Sequence, residues 1–137
     1  MRYLENGRSR RSIENIIEKM QRENTVVVVE GLHDVKALND VVSELYAMGV
    51  LKSKSINVIT LQRLRNNNLN LGKDNIVIVA MDKDINGVDK ADYACSIVRE
   101  RYPDARVDEN TGRMLLGRLG VRCVEEIRGP VEEIMRG

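Results

Sequence analysis

Two apolar stretches of this chain each run straight into acidic residues and a glycine. Residues 25–34 read TVVVVEGLHD and residues 76–87 read IVIVAMDKDING, so Glu30, Asp82 and Asp84 stand where two strands would end. In an open parallel sheet the carboxyl ends of the strands are where ligands bind, because helix N-termini point there and the loops carry no packing load. Asp82 and Asp84 are two residues apart. In extended backbone both side chains project to one side, with Cα atoms roughly 6.5–7 Å apart, and can bracket a hard cation. Without an ion such carboxylates repel; Mg²⁺, or Mn²⁺ in its place, takes oxygen ligands and reverses that balance. Glu30 can supply a third oxygen or handle a proton, so it is the candidate catalytic residue as well as a candidate ligand.

The supporting residues read from the same two stretches. Gly31 and Gly87 allow tight turns into the following helices, whose free N–H groups suit a phosphate. Asp34 is a natural helix N-cap that also lies close to the acidic group. Lys83, between the aspartates, should point away from them. His33, the single histidine, reads as exposed. Lys36, Arg63, Arg65 and Lys73 fall near the expected strand ends; solvated surface is their default role. Lys36, Arg63, Arg65 and Lys83 are the candidates for nucleic-acid contact. Arg2, Arg8, Arg10 and Arg11 form a basic cluster that either engages phosphates or belongs to a mixed-charge helix.

Around these residues, apolar spacing alternates between strand and helix. Residues 1–8 carry no strong pattern. From Ser9 or Ser12, the positions Ile13, Ile16, Ile17 and Met20 recur with helical period. Val26–Val29 is a continuous β-branched run, the mark of a strand buried on both faces. A helix follows from Asp34 to about Gly49, then a strand at 56–61, a polar loop or broken helix at 62–74, and a strand at 76–81. A helix at 88–102 stops before Pro103. Residues 105–107 read as a short strand, 111–119 as a helix closed by Gly120, 121–124 as a last strand-like piece, and Gly129-Pro130 as the start of a final helical turn. The expectation is an α/β fold: a mostly parallel, Rossmann-like sheet of about four strands with helices on both faces. The apolar stripe of the first helix should pack on that sheet as an outer layer, because both faces need cover.

At 137 residues the chain fits one domain with a sizeable core. Twenty-two Lys and Arg against 21 Asp and Glu leave a formal charge of +1, so a polyanion would be met by a local patch and not by a global field. Phe and Trp are absent, which argues against base recognition by aromatic stacking. Cys95 and Cys123 match no zinc or CxxC spacing and read as reduced packing residues. No run is long enough to span a bilayer and no signal peptide is evident, so a cytoplasmic protein without membrane contact is expected.

The pattern Glu30, Gly31, Asp34, then Asp82, Asp84, Gly87 resembles the Toprim family, the metal-binding module of topoisomerases, bacterial-type primases, recombination mediators and the M5-type ribonucleases that mature ribosomal RNA. The resemblance spans about Thr25–Arg128 and is closest to small stand-alone archaeal and bacterial members. It implies a Toprim domain at 25–128; the apolar period and turn residues outside it add an N-terminal amphipathic helix at 1–24 and a C-terminal helical turn at 129–137 packed on the same domain. It also implies Glu30 as general acid or base, Asp82 and Asp84 as Mg²⁺ ligands, and nucleic acid, RNA or DNA, as partner. The tyrosine-bearing domain of topoisomerases and the accessory domains of primases are missing, and Asn86 stands where many small members carry a basic residue. The expected activity is Mg²⁺-dependent phosphodiester hydrolysis or phosphoryl transfer, nuclease-like on RNA. The alternative is a non-catalytic, metal-dependent nucleic-acid-binding module acting with a partner protein or as a homodimer. A haloacid-dehalogenase-type phosphatase would also begin from Asp-x-Asp after a strand, but Asn86 replaces its expected Thr or Val. A two-component receiver lacks its later Thr and Lys strand ends.

Overall fold

The computed structural model describes residues 2–136, with side chains from residue 10 onward. Its strands are β1 (Thr25–Val29), β2 (Val58–Thr60), β3 (Ile76–Val79) and β4 (Arg106–Asp108), and they form one all-parallel sheet in the order β2-β1-β3-β4. The helices are α1 (Arg2–Met20), α2 (Leu32–Ala47), α3 (Leu61–Asn66), α4 (Ile85–Arg101), α5 (Asn110–Leu119) and α6 (Arg128–Arg136). The α/β class with helices on both faces is therefore the observed one. Every residue of β1 is buried. Alternation sends Val27 and Val29 to one core with α1, α2, α5 and α6, and Val26 and Val28 to the other with α4 and Leu64 of α3.

Boundaries differ from the expected ones for local reasons. Helix α1 runs from Arg2, well before Ser9 or Ser12, across residues that carry no apolar period but no proline either. The apolar run at 56–61 yields only a three-residue strand, because Thr60 caps α3 by accepting from the Arg63 N–H at 3.2 Å. The polar 62–74 segment thus begins as helix. Residues 121–124 form no strand: a 3₁₀ turn occupies Val124–Glu126. The C-terminal piece is a full helix with Pro130 in its first turn, where a missing N–H costs nothing. Gly120, at φ 69°, closes α5 as expected.

Helix α1 covers the sheet. Ile13, Ile16, Ile17 and Met20 are 6 % exposed or less and share the core with Val27, Val29 and Ile78. Burying four such side chains contributes on the order of 6–10 kcal/mol as an upper bound. Asp108 fastens this layer. Its carboxylate accepts from the backbone N–H groups of Asn110 and Thr111 at 2.9 and 3.0 Å and from the Thr111 hydroxyl, and pairs with Lys19 of α1 at 3.3 Å. Burial pushes the Asp108 carboxyl up, but those partners outweigh it and hold the group below its usual range.

Helix α5 crosses β3 at close range, and Gly112 makes the approach possible: a Cβ there would lie 2.7 Å from the Ala80 Cα. Gly112→Ala should therefore cost about 1–3 kcal/mol by overpacking, read as a lower urea midpoint. Gly129→Ala, with nothing within 4 Å of its Cβ, is the control and should be neutral or slightly stabilising. Equal midpoints for the two variants would refute the close packing.

Candidate functional site

The chain passes from β1 to β2 on one side and then to β3 on the other, so the strand order reverses between β1 and β3. Helix α2, leaving β1, packs on one face of the sheet, while α4, leaving β3, packs on the opposite face. The two connections diverge and leave a crevice at the carboxyl ends of these neighbouring strands, which are held in register by pairs such as Val28 with Val79. Glu30 follows β1 and Asp82 and Asp84 follow β3, so the predicted carboxylates lie around this crevice, near enough for Glu30 and Asp84 to act electrostatically on Asp82.

Each carboxylate has a protein partner. Glu30 Oε1 pairs with the Lys90 ammonium, one side chain from each wall. Asp82 Oδ1 accepts from the Val124 N–H at 2.9 Å. Asp84 is the N-cap of α4 and accepts from the Gly87 N–H at 2.6 Å. Asp82 and Asp84 thus each have their own backbone partner, one on the segment that returns at Val124 and one in the first turn of α4. Among the described residues no three His, Cys, Asp or Glu side chains stand close enough together to hold one ion.

Asp34 does not cap α2. Gly31 is the N-cap, in extended backbone (φ −147°, ψ −178°), and Asp34 sits three residues on, where its carboxylate accepts from the Gly31 N–H at 3.1 Å. Gly87 is not a turn residue either. It lies inside α4, and a Cβ would run into the Asp82 carbonyl oxygen, so glycine here lets the first turn of α4 sit directly on the Asp82 backbone. At Gly31 no such neighbour exists within 4 Å.

The crevice carries surplus negative charge. Burial pushes the Asp34 carboxyl above its usual range, and Asp82, Glu30 and Glu125 add to the rise against the Gly31 hydrogen bond. Burial likewise raises Asp82, with further upward pressure from Glu30, Asp84 and Glu125 against the Val124 bond. Lys90 answers this field: its hydrogen bond to Glu30 raises its own pKa, and Glu30, Asp84 and Asp82 add to it.

Lys90 and Glu125 were not foreseen from sequence. Lys90 had a signal, since it lies one turn after Gly87 on the same face of α4. Glu125 had none: it arrives through the 121–126 segment, which returns to the crevice as the Arg122 carbonyl accepts from the Lys83 N–H at 2.8 Å.

The basic candidates divide. Lys83 is exposed beside Asp84 and Arg122. His33 is exposed at the start of α2. Lys36 is bound at 2.6 Å to Asp40 one turn along α2. Arg63 shares a cavity with Glu23, Val26 and Asn75, and Lys73 one with Asn24 and Arg106; both lie toward the amino ends of the strands. The expectation that they flank the carboxylates fails because β2 ends early and α3 follows it at once, which takes Arg63 back toward Asn57 and Asn75, while Lys73 precedes β3 and so lies at its amino end. Arg65, on α3, donates to Asn66 at 3.3 Å. Of the N-terminal cluster, the side chains of Arg2 and Arg8 lie outside the described residues, and Arg11 is exposed on α1. Both cysteines are free; Cys95 is buried and donates to Glu109 at 2.7 Å, and burial with that bond pushes its thiol up to about 12. No described helix is long and apolar enough to cross a membrane.

No protein-family model matches this chain, and neither a curated protein nor a solved structure matches it.

The raised Asp82 pKa has a thermodynamic consequence. An acid whose folded pKa exceeds its unfolded value contributes stability below the unfolded pKa, about 4, and loses it as pH rises through the folded value. Asp82→Asn keeps an oxygen for the Val124 N–H and sheds the charge. In EDTA at pH 7 the variant should melt above the wild type, with the gap closing toward pH 4. A variant that melts lower at pH 7 would mean the carboxylate is net favourable as it stands.

Proposed function

We propose that this chain is a small Toprim-type protein that uses Mg²⁺ to hydrolyse or transfer phosphodiester bonds of nucleic acid, with RNA as the substrate. The observation carrying this reading is the convergence of Glu30, Asp34, Asp82 and Asp84 at the β1–β3 crevice, where burial and mutual repulsion raise Asp34 and Asp82. A structural role alone does not call for so many acids facing one strand switch, and perturbed groups concentrate at functional sites.

The donor set fits the ion. All candidate ligands are carboxylate oxygens, which suit Mg²⁺ or Mn²⁺ and not a soft metal. Glu30, Asp82 and Asp84 would hold it after exchanging their present partners, Lys90, the Val124 N–H and the Gly87 N–H. When bound, the ion supplies charge neutralisation at a phosphoryl oxygen and a more acidic water. Glu30 then takes or returns the proton of the attacking or leaving oxygen. Lys90, within reach of the same crevice, is freed to pair with a substrate phosphate. Lys83 and Arg122 flank Asp84 in an open depression and offer further phosphate contacts, so a local basic rim replaces the global charge that the chain lacks.

A non-catalytic, metal-dependent binding module is the second reading, favoured by one feature: Glu30 is already neutralised by Lys90 and so is not poised as a free base. Thermal melts and cleavage assays separate the two. Mg²⁺ or Mn²⁺ should raise the melting temperature of the wild type, and Asp82→Asn with Asp84→Asn should abolish the response. A double variant still stabilised to the wild-type extent would remove the metal site. With structured RNA, Glu30→Gln should lower Mg²⁺-dependent cleavage by about 10² or more while nucleic-acid affinity holds within a few fold. Wild-type protein that binds RNA and DNA with Mg²⁺ yet cuts neither would decide for the module.

A further inference from the structure

A cavity of about 240 Å³ opens directly beside Asp82, between α4 and α5, on the side of the crevice away from Glu30's strand. Its floor is apolar, made by Val79 at the end of β3, Met81 just beyond it, and Val88 and Ala91 of α4. Its polar groups are Lys83, Arg113 and the Glu109 carboxylate, with Asp82 at the inner end. It is smaller than the roughly 300–1,000 Å³ sites that enclose drug-sized ligands, so it admits one small planar group with an attached anion.

Three features narrow the occupant. Lys83 and Arg113 are both exposed cations that form no ion pair among the described residues, which leaves them available to an anion. The four-residue apolar floor gives a flat ligand a surface to lie on without an aromatic partner. Glu109 is an acceptor-only group whose Oε1 accepts a hydrogen bond from the Cys95 thiol, an arrangement that holds the carboxylate in the cavity wall. A fixed carboxylate selects a ligand edge that donates hydrogen bonds, as the exocyclic amino groups of cytosine, adenine and guanine do, whereas uracil offers only its N3–H between two carbonyls that the carboxylate repels.

We infer that this cavity is a mononucleotide subsite: it takes the base of one terminal or splayed nucleotide on the apolar floor, its phosphate on Lys83 and Arg113 and its amino edge on Glu109. The inference rests on the nucleic-acid reading of the adjoining carboxylates and adds to it a substrate preference for an amino-bearing base at the nucleotide next to Asp82. Unstacking a base costs least in single strands, loops and ends, which makes these the substrates the subsite favours.

Titration of the full chain with CMP, GMP, UMP and ribose 5-phosphate in EDTA, followed by amide NMR, tests this apart from any metal. CMP or GMP should shift the amides of Val88, Ala91 and Arg113 and bind about tenfold or more tightly than UMP or ribose 5-phosphate. Arg113→Glu, a change at an exposed position, should weaken CMP binding by about tenfold or more. Ala91→Met should fill the floor and abolish CMP binding; Val88→Trp, at the solvent-exposed end of that floor, repeats the test should the buried change unfold the protein. Ribose 5-phosphate binding as tightly as CMP, UMP binding as tightly as CMP, or no shift at these amides would each overturn the assignment. The two readings fail separately. A Mg²⁺-dependent rise in melting temperature without CMP binding would sink the subsite and leave the metal site standing. CMP binding without any response to Mg²⁺ would do the reverse.

Discussion

The side-by-side pairing of β1 and β3, with their following helices sent to opposite faces, is the constraint on which the molecule depends. A strand buried on both faces needs cover on both, and β1 receives it from α1 and α2 on one side and from α4 on the other. That division forces the connections after β1 and β3 apart. The crevice is the geometric remainder of the packing, and Glu30, Asp82 and Asp84 are brought there by segments that the sheet has already positioned.

Charge in the crevice is balanced from within the chain, and only in part. Lys90 neutralises Glu30, the Val124 N–H serves Asp82, and the Gly87 N–H serves Asp84. Asp34 and Asp82 nonetheless remain pushed upward, because burial outweighs the hydrogen bonds they accept. Close packing makes relief by retreat difficult. Gly87 lies on the Asp82 backbone, and Gly112 holds α5 against Ala80, so the backbone of the β3 end is clamped from two helices. A region under such electrostatic load, held rigid by its scaffold, is the usual setting of a binding or catalytic centre.

The same clamp shapes the neighbouring cavity. Gly87 and Gly112 bring α4 and α5 down onto the end of β3, and the residues that follow them, Val88, Ala91 and Arg113, line the cavity. Site and cavity are thus two products of one packing arrangement. The 121–126 segment completes it from outside, closing on Lys83 and Asp82 and adding Glu125 to the field.

Hydrophobic period and short-range stereochemistry are properties of the chain itself, and they determined the elements, the two-sided burial of β1, the apolar stripe of α1 and the strand-end location of Glu30, Asp82 and Asp84. Those signals are local: a side chain's period or a glycine after a helix is visible within one turn or one strand. What tertiary structure alone decided is every relation between segments distant in sequence. It fixed Asp34 as a partner of the Gly31 N–H instead of a cap, Gly87 as a point of close approach instead of a turn, and Arg63 at the far end of the strands. It also brought Lys90 to Glu30 and Glu125 to Asp82. These depend on helix orientation and on where a non-periodic segment such as 121–126 lands, and neither is encoded in the spacing of residue types. Packing chooses among the conformations that local chemistry leaves open, and it does so through contacts the linear sequence does not contain.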